Sequence, residues 1–403
     1  MIEFTKSQTK EFEEKYGLPL YVFNQDEFIQ NFKEIESTFR AIYPNYHICY
    51  SYKTNYTPAI CKLVKELGGY AEVVSDMEYE LAKRLGYELD RIVYNGPYKG
   101  AMLEDHLLVG GINNIDRVEE ALRVCEIADK NPDMSLRTGI RVNFDVDAGY
   151  TSRFGVDIDK IGQIFELLAK HGVQVNGLHC HMSRARGLEP WRLRAKTMLG
   201  LVSKFDLYDL DYISLGSGMN GHMDPELKAQ FPAVPTYEEY GGAVVKQFAE
   251  FYQDKEKKPM LFTEPGTTLV SKYVDFLARV EGIKEVRGKQ FILCNCSFHN
   301  LGETCQMKNI PIRVFPCGGL QQEVENANLV GYTCLEQDVL YRGYTGTIAV
   351  GDYVAFGNVG GYSLVDKPPF IQPNCAMIAL SGQETKLIKR KETWDDIFES
   401  FVM

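Results

Sequence analysis

The sequence predicts an α/β protein in which a (β/α)₈ barrel is followed by a domain of antiparallel β-strands. In the first two thirds of the chain, short strand-like runs alternate with amphipathic helical runs, a pattern typical of βαβ units and a parallel sheet. After residue 265 the helical runs become rare, and β-rich runs with glycine-containing turns take their place. A doubly wound open sheet is the alternative for the first part, because it has the same alternation.

The strand-like runs of the first part are bounded by turn residues. They cover residues 47–53, 71–75, 91–96, 112–115, 136–143, 175–182, 212–216 and 260–264. Apolar residues at i, i+3 and i+4 predict helices over residues 58–67, 77–85, 118–127, 161–170, 190–204 and 237–251. Eight strands in about 220 residues suit a closed barrel, whose usual size is roughly 250 residues.

The β-rich runs of the second part are residues 274–286, 290–296, 347–356 and 375–381. They predict an antiparallel domain, and the run 19–24 is expected to join it as an extra strand. The chain is therefore divided into a barrel of residues 26–266 and a β domain formed by residues 1–25 and 267–403.

The composition excludes several classes of protein. The 403 residues carry 44 Lys and Arg against 55 Asp and Glu, a net charge of −11, which argues against a nucleic-acid or anionic-membrane surface. No apolar run approaches the roughly 18 residues of a membrane-spanning helix, and the charged N-terminal segment lacks the apolar core of a signal peptide. The ten cysteines are scattered, as expected of reduced thiols. We therefore expect a cytoplasmic enzyme with a small-molecule substrate.

Lys53 is the first candidate for chemistry, in the motif SYKTN at the end of a predicted strand. Barrel active sites are built at the carboxyl ends of the strands, and a lysine partly removed from water there is suited to form a Schiff base. A lysine that extends to the surface is the alternative.

His179 and His181 lie two residues apart in HCHM and would share one face of a regular strand. Two imidazoles could bind zinc, but spacing places no third ligand. We therefore expect no metal, with one histidine packed inside the barrel and the other nearer its mouth. Cys294 and Cys296, with His299, also match zinc spacing poorly.

Two further features follow the last two barrel strands. Gly216 and Gly218 form a glycine-rich turn whose N–H groups could hold a phosphate, unless it is an ordinary tight turn. Glu264 ends the eighth strand, where it is either the partner of a cationic ligand nitrogen or a solvated loop acid. In the β domain, Cys334 lies in GYTCLEQDVL, and most such cysteines are small hydrophobic residues.

Taken in order, a series of motifs resembles those of the fold-type III decarboxylases that depend on pyridoxal 5'-phosphate (PLP). The motifs are SYKTN, EVVSDMEYELAKRLG, RIVYNGPYK, GIRVN, SRFGV, GLHCHM, LGSGM, TEPGT, CLEQDVL, VGDYVAF and GGYSL. This family includes the diaminopimelate, ornithine, arginine and carboxynorspermidine decarboxylases, and the match spans nearly the whole chain. The resemblance implies PLP as the cofactor, a TIM barrel of the alanine-racemase type with a C-terminal antiparallel β-barrel domain, and a homodimer with shared active sites.

The resemblance also implies a role for each candidate. Lys53 matches the lysine that bonds the cofactor, and Cys334 matches the cysteine that reaches across a dimer interface and protonates the carbanion. The other implied cofactor contacts are Glu72 and Arg141 behind the cofactor, His181 on the pyridine ring, Gly216, Gly218, Gly266 and Tyr362 at the phosphate, and Glu264 at the pyridine nitrogen. The set is coherent, because a protonated pyridine absorbs the electrons left on Cα, and a carboxylate keeps it protonated.

The departures from the family lie in the substrate pocket. Leu335 follows the cysteine, as in carboxynorspermidine decarboxylases, where ornithine and diaminopimelate enzymes have an acid facing the distal amine. Thr267 replaces the arginine of the usual Glu-Pro-Gly-Arg, and one cationic anchor is lost. The segment MSRARG brings Arg184 and Arg186 near the mouth as replacement anchors for a carboxylate. The predicted substrate-binding residues are Arg184, Arg313, Leu335 and Asp338.

The leading hypothesis is a decarboxylase acting on the α-amino-acid centre of an elongated substrate. An amino-acid racemase on the same fold is one alternative, although racemases usually pair the ring nitrogen with arginine, whereas Glu264 is acidic. A catalytically silent regulator is another, although such proteins tend to lose the lysine or the cofactor loop, and both are kept. The substrate stays open between diaminopimelate-like, carboxynorspermidine-like and other conjugated amino acids.

Overall fold

The computed structural model describes residues 1–402. The chain forms two compact units. The first, which we call the barrel unit, comprises residues 32–220 and 233–268. The second, the β unit, comprises residues 1–31, residues 221–232 and the chain from residue 269 onward. Residues 221–232 thus group with the β unit, although the sequence-based division assigns them to the barrel.

The strands, in chain order, are β1 (Leu20–Asn24), β2 (Tyr46–Ser51), β3 (Tyr70–Val73), β4 (Ile92–Tyr94), β5 (Ile112–Ile115), β6 (Arg137–Asn143), β7 (Val156–Asp157), β8 (Gln174–His179), β9 (Tyr212–Ser214), β10 (Met260–Thr263), β11 (Val274–Val286), β12 (Lys289–Cys294), β13 (Ile312–Phe315), β14 (Gln322–Val330), β15 (Val339–Ile348), β16 (Tyr353–Phe356), β17 (Ala376–Ser381) and β18 (Glu384–Lys389).

The α-helices are α1 (Lys6–Tyr16), α2 (Gln25–Arg40), α3 (Pro58–Glu66), α4 (Asp76–Arg84), α5 (Met102–Leu108), α6 (Val118–Lys130), α7 (Ile161–Lys170), α8 (Leu188–Lys204), α9 (Pro225–Lys228), α10 (Tyr237–Tyr240), α11 (Lys246–Phe251), α12 (Thr267–Val270), α13 (Phe298–Leu301), α14 (Glu303–Met307) and α15 (Trp394–Phe398). A π-helical turn at Gly241–Val245 joins α10 to α11, and 3₁₀ turns lie at Tyr52–Thr54, Leu89–Arg91 and Ser271–Tyr273. No helix within residues 1–402 is long and apolar enough to span a membrane.

The barrel closes because eight parallel strands each pair with two neighbours. The order around the ring is β2, β3, β4, β5, β6, β8, β9 and β10, and β10 returns to pair with β2. This confirms the (β/α)₈ prediction and excludes the open sheet. All eight predicted strands are present, whereas α1, α2 and the short helices α5, α9 and α12 to α15 lie outside the predicted helical runs.

Most barrel strands end earlier than the sequence indicates, and two of these ends concern Lys53 and His181. β2 ends at Ser51, so Lys53 lies in the following 3₁₀ turn rather than on the strand. β8 ends at His179, and His181 lies beyond it. The prediction that both histidines share one strand face is therefore wrong. In both segments the alternation of apolar residues continues beyond the last residue that pairs in the sheet, so it predicts a strand that is too long.

In the β unit, the 13-residue strand β11 pairs antiparallel with β1 and β16 through its first half and with β12 through its second. β1 lies between β11 and β17, which confirms that the run before the barrel joins this domain. The sheet is mixed, however, because β1–β17 and β12–β14 are parallel. These partners are far apart in sequence, so no hairpin forces an antiparallel direction.

The predicted strand over residues 347–356 is divided in two by a turn. Gly351 in this turn has a left-handed φ of +93°, a conformation that favours glycine. The buried Asp352 carboxylate accepts hydrogen bonds from the main-chain N–H groups of Ala349 and Cys317, at 2.8 and 2.7 Å. These bonds fix the turn, and the chain reverses between β15 and β16.

The interior of the barrel is shaped around Tyr212, which is 1% exposed. A Cβ added at Gly177, directly opposite on β8, would lie 2.0 Å from the Tyr212 ring, and one at Gly139 would lie 2.0 Å from its hydroxyl oxygen. The hydroxyl donates to the Asn113 carbonyl and the Asn114 side-chain oxygen, at 3.1 and 2.9 Å. Both glycines therefore make room for one ring in the barrel core.

We expect Gly177→Ala to lower the free energy of unfolding by about 1–3 kcal/mol, because the added methyl group overpacks the core against Tyr212. Gly200→Ala is the matched control, since Gly200 is exposed on α8 with nothing within 4 Å of its Cβ position. That control should raise stability by about 1 kcal/mol. Urea unfolding of both variants measures the difference, and equal stabilities would contradict this account of the core.

Candidate functional site

Lys53 is held at the carboxyl end of β2 by a carboxylate and a hydroxyl. Its Nζ donates to Glu72 Oε2 at 2.6 Å and to Ser51 Oγ at 2.7 Å. Ser51 Oγ itself donates to the same Glu72 oxygen at 2.5 Å. The Glu72 side chain is 1% exposed, whereas that of Lys53 is 32% exposed. The amine is therefore fixed on one side and accessible on the other, as a nucleophile requires.

Asn95 connects this lysine to the second acid of the site. Its side-chain N–H₂ donates to Glu72 Oε1 at 3.2 Å and to Glu264 Oε1 at 3.1 Å. Its oxygen accepts from Asn114 Nδ2 at 2.8 Å. Sequence analysis missed Asn95, although a polar residue directly after the buried strand β4 is a usable signal for a barrel site. The carboxylates of Glu72 and Glu264 thus belong to one continuous network.

Glu264 is a buried carboxylate, 2% exposed, rather than a solvated loop acid. It accepts hydrogen bonds from His179 Nε2 at 3.0 Å and from Ser214 Oγ at 2.7 Å, in addition to Asn95. Burial by itself would raise its pKa, but His179 and the hydrogen bonds from His179 and Ser214 hold the pKa of Glu264 well below its usual range. The group is therefore an anion that can pair with a cationic nitrogen.

His181 lies just beyond β8, next to the glycine loop. Its Nδ1 accepts a hydrogen bond from the Ser217 main-chain N–H at 3.0 Å, so its proton is on Nε2. Burial, with the positive charges of Arg141 and Lys53, lowers the pKa of His181 well below its usual value, and the ring is neutral. Arg141 Nη2 donates to the His181 carbonyl at 3.4 Å, and its Nη1 lies 3.3 Å from Asp116 Oδ1.

The loop after β9 is built so that only glycine fits. Gly216 and Gly218 have φ values of +61° and +96°. A Cβ at Gly216 would lie 2.4 Å from the Cys180 carbonyl oxygen, and one at Gly218 would lie 2.6 Å from that of Met182. The N–H groups of Gly218 and Met219 donate to no acceptor within residues 1–402. Two adjacent free donors in a strand-end loop can bind an oxyanion.

These features fit the phosphate, the ring nitrogen and the aldehyde of PLP. The donors of Gly218 and Met219 suit the phosphate, the anionic Glu264 suits a protonated ring nitrogen, and Lys53 offers the amine. Gly266 also fits, because a Cβ there would lie 2.0 Å from the Thr54 hydroxyl oxygen, in the turn that carries Lys53. The barrel unit therefore brings together eight of the predicted cofactor residues, namely Lys53, Glu72, Arg141, His181, Gly216, Gly218, Glu264 and Gly266.

Arg184 and Arg186 lie on the loop between β8 and α8. Arg184 is exposed and Arg186 is half-buried. The Tyr240 hydroxyl donates to the Arg186 carbonyl, which fixes the main chain of this loop.

Within the β unit, Cys334 is exposed on the loop between β14 and β15, and Leu335 is half-buried. Asp338 is 3% exposed. Its carboxylate accepts from the Thr333 hydroxyl at 2.6 Å, the Thr333 N–H at 3.0 Å and the Phe298 N–H at 2.8 Å. The contact of Asp338 with a substrate stays a prediction. Within the chain, its carboxylate stabilises the loop that carries Cys334 by accepting these hydrogen bonds.

Tyr362 and Arg313, also in the β unit, stay predictions as site residues. Tyr362 is half-buried with a left-handed φ of +52°. Its loop is tied down by hydrogen bonds from the N–H groups of Val359 and Gly360. Arg313 is exposed on β13. Within residues 1–402, no group of three His, Cys, Asp or Glu side chains forms an arrangement that could hold a metal ion.

Comparison with known proteins agrees with this geometry. The family model described as "Pyridoxal-dependent decarboxylase, pyridoxal binding domain" matches residues 26–271, and "Pyridoxal-dependent decarboxylase, C-terminal sheet domain" matches residues 267–360. Among curated relatives, diaminopimelate decarboxylase of Aquifex aeolicus is 27% identical, covering 97% of this chain and 93% of the relative. That of Archaeoglobus fulgidus is 25% identical, covering 95% and 92%.

Among solved structures, diaminopimelate decarboxylase from M. jannaschii has the same fold, with a TM-score of 0.83 and 23% identity over 98% of this chain and 94% of that one. The family models together span both units, and the barrel carries a lysine, a buried acid and a glycine loop whose chemistry fits PLP. The chain belongs to the pyridoxal-dependent decarboxylase family, and it is a PLP-dependent carboxy-lyase.

Proposed function

We propose that this chain removes CO₂ from the α-amino-acid centre of an elongated amino acid whose distal end carries a carboxylate, as in diaminopimelate. Carboxynorspermidine, an elongated amino acid whose distal end is an amine, is the alternative, because Leu335 follows Cys334 as in the carboxynorspermidine enzymes. The observation that carries the proposal is the network inside the barrel mouth, in which Asn95 joins the Lys53–Glu72 pair to the buried Glu264. The names of the curated relatives support diaminopimelate itself as one substrate to test.

When bound, PLP supplies the electron sink that accepts the electrons left on Cα as CO₂ departs. Lys53, oriented by Glu72 and Ser51, would hold the cofactor covalently. Glu264, held as an anion, would keep a proton on the ring nitrogen. The neutral His181 would contact the ring, and the N–H groups of the glycine loop would bind the phosphate.

The proton that returns to Cα is proposed to come from Cys334 of a second copy of the chain. Cys334 is exposed on its own chain, and Asp338 and Thr333 hold its loop in one conformation. A thiol presented outward on a fixed loop is suited to serve a neighbouring subunit as a general acid. The homodimer would then be required for activity, because each site would take residues from both copies.

The distal carboxylate is inferred from two differences within the predicted pocket. Leu335 offers no acceptor to a distal ammonium, so a substrate whose only distal charge is an ammonium, such as ornithine, would place that charge beside leucine without a partner, which is costly. Arg184 and Arg186, on the loop after β8, instead offer guanidinium groups, which bind carboxylates through paired hydrogen bonds. A small diamine precursor such as ornithine is therefore disfavoured as a substrate.

Lys53→Ala should abolish the visible absorbance of bound PLP, because no amine remains at that position to bond the cofactor. In the unchanged protein, borohydride reduction followed by peptide mapping should place the pyridoxyl group on Lys53. Lys62→Ala is the control, since Lys62 is an exposed α3 lysine paired with Glu66. A pyridoxyl group mapped to another lysine would refute the assignment of Lys53.

Cys334→Ala should keep the PLP absorbance but slow CO₂ release by roughly 10²–10⁴-fold, the usual contribution of a general acid. Mixing this variant with Lys53→Ala should restore about a quarter of the activity, because mixed dimers would contain one intact site. Mixing Lys53→Ala with Glu264→Ala should restore none, since both residues belong to the barrel unit. Unchanged turnover in Cys334→Ala would remove this residue from the mechanism.

Arg184→Gln should raise KM for the best substrate by about ten- to hundred-fold with a smaller change in kcat, because it removes a charged hydrogen bond to a distal carboxylate. Diaminopimelate, carboxynorspermidine and ornithine form the substrate panel, with CO₂ release as the measurement. Arg192→Gln, an exposed arginine paired with Glu189 on α8, should leave KM unchanged. Ornithine as the best substrate would overturn the inference about the distal group.

A further inference from the structure

Arg194, on α8, is a buried arginine that none of the sequence motifs identifies. Its side chain is 0% exposed and bonds four main-chain carbonyls. Nη1 donates to Ser217 at 2.8 Å and to Leu215 at 3.5 Å. Nη2 donates to Met182 at 2.6 Å and to Ala185 at 2.9 Å. One guanidinium thus ties the glycine loop to the loop that carries Arg184.

The charge of Arg194 has no carboxylate opposite it. Within residues 1–402 no Asp or Glu lies within ion-pair distance of its guanidinium, and its Nε has no hydrogen-bond partner. Trp191 lies under the guanidinium, 4.5 Å from its carbon to the ring centroid. Burial lowers the pKa of Arg194 to about 10, so it stays charged at neutral pH. A buried cation without an acidic partner is stabilised by any anion that binds nearby.

The peptide groups of the glycine loop show where such an anion would sit. In a trans peptide the N–H points away from the C=O. The Ser217 carbonyl accepts from Arg194, and the Gly218 carbonyl accepts from Trp191 Nε1 at 3.3 Å. The N–H groups of these same two peptides belong to Gly218 and Met219, and they are the two without an acceptor within residues 1–402. Arg194 and Trp191 therefore orient the free donors.

The two preceding peptides of the loop are fully bonded. The Gly216 carbonyl accepts from the Glu264 N–H at 2.8 Å, and the Ser217 N–H donates to His181. The Gly216 N–H donates to Ser214 Oγ at 3.2 Å. Because these donors are already engaged inside the protein, the N–H groups of Gly218 and Met219, in the peptides whose carbonyls bond Arg194 and Trp191, are the ones left for a ligand.

We propose that Arg194 is a positioning residue for the cofactor phosphate: together with Trp191 it fixes the two peptides whose N–H groups bind the phosphate, and it adds a positive charge on the carbonyl side of the Ser217–Gly218 peptide. This inference rests on the proposed function, since it assumes that the glycine loop binds the phosphate of PLP. It assigns to α8 a role in binding the cofactor, and it links the phosphate loop to the loop of Arg184 through one side chain.

The test compares PLP with pyridoxal, which lacks the phosphate. Dissociation constants for both are measured by absorbance titration of the full-length protein. In Arg194→Met, the affinity for PLP should fall by about ten- to hundred-fold, the loss expected for charged hydrogen bonds, while that for pyridoxal changes less than about two-fold. Arg194→Lys, which keeps the charge but cannot reach four carbonyls, should lose less. Arg192→Met, on the same helix, should change neither constant.

Equal losses for PLP and pyridoxal in Arg194→Met, or no loss for either, would overturn the proposal, because a purely structural arginine would not distinguish the two ligands. Far-UV circular dichroism and Tm report whether each variant folds. If Arg194→Met does not fold, Trp191→Phe is measured in its place. This substitution keeps an aromatic ring and removes the indole N–H that bonds the Gly218 carbonyl. That variant should weaken PLP selectively. Failure of the unchanged protein to bind PLP would instead refute the proposed function and this inference together.

Discussion

The buried carboxylate of Glu264 is the constraint on which the rest of the site depends. A carboxylate removed from water is costly unless several donors surround it, and this one receives hydrogen bonds from His179, Ser214 and Asn95. These donors lie at the ends of β8, β9 and β4, so they converge only if the barrel closes. Its closure thus places an anion at the centre of the mouth, and Asn95 carries the same network onward to the acid that holds Lys53.

The glycine loop is the second part of this arrangement, and it is bonded to the first. The Glu264 N–H donates to the Gly216 carbonyl, and the Ser217 N–H donates to His181. The loop is therefore fixed on one side by the main chain of Glu264 and the ring of His181. On the other side Arg194 and Trp191 fix its carbonyls. A loop that is fixed by hydrogen bonds on both sides needs little reorganisation when it binds a ligand, and this lowers the entropic cost of binding.

The β unit carries one of the predicted departures from the family motifs, Leu335, on the loop that also carries Cys334. Cys334 is exposed, and the carboxylate of Asp338 is occupied by the N–H and hydroxyl groups of Thr333 and by the Phe298 N–H. A loop held by an acid can change its side chains, as at Leu335, without losing its conformation.

The sequence by itself determined the eight barrel strands, the β-rich second part and, through the ordered motifs, the family and its lysine, acid and glycine loop. Hydrophobic periodicity is a local property, so it predicts elements but not their last paired residue, and the strands ending at Ser51 and His179 were placed too long. Only the tertiary structure decided which distant groups meet. Asn95 and Glu264 are 169 residues apart, and Arg194 bonds carbonyls on two separate loops. Such contacts depend on barrel closure, which no local pattern encodes.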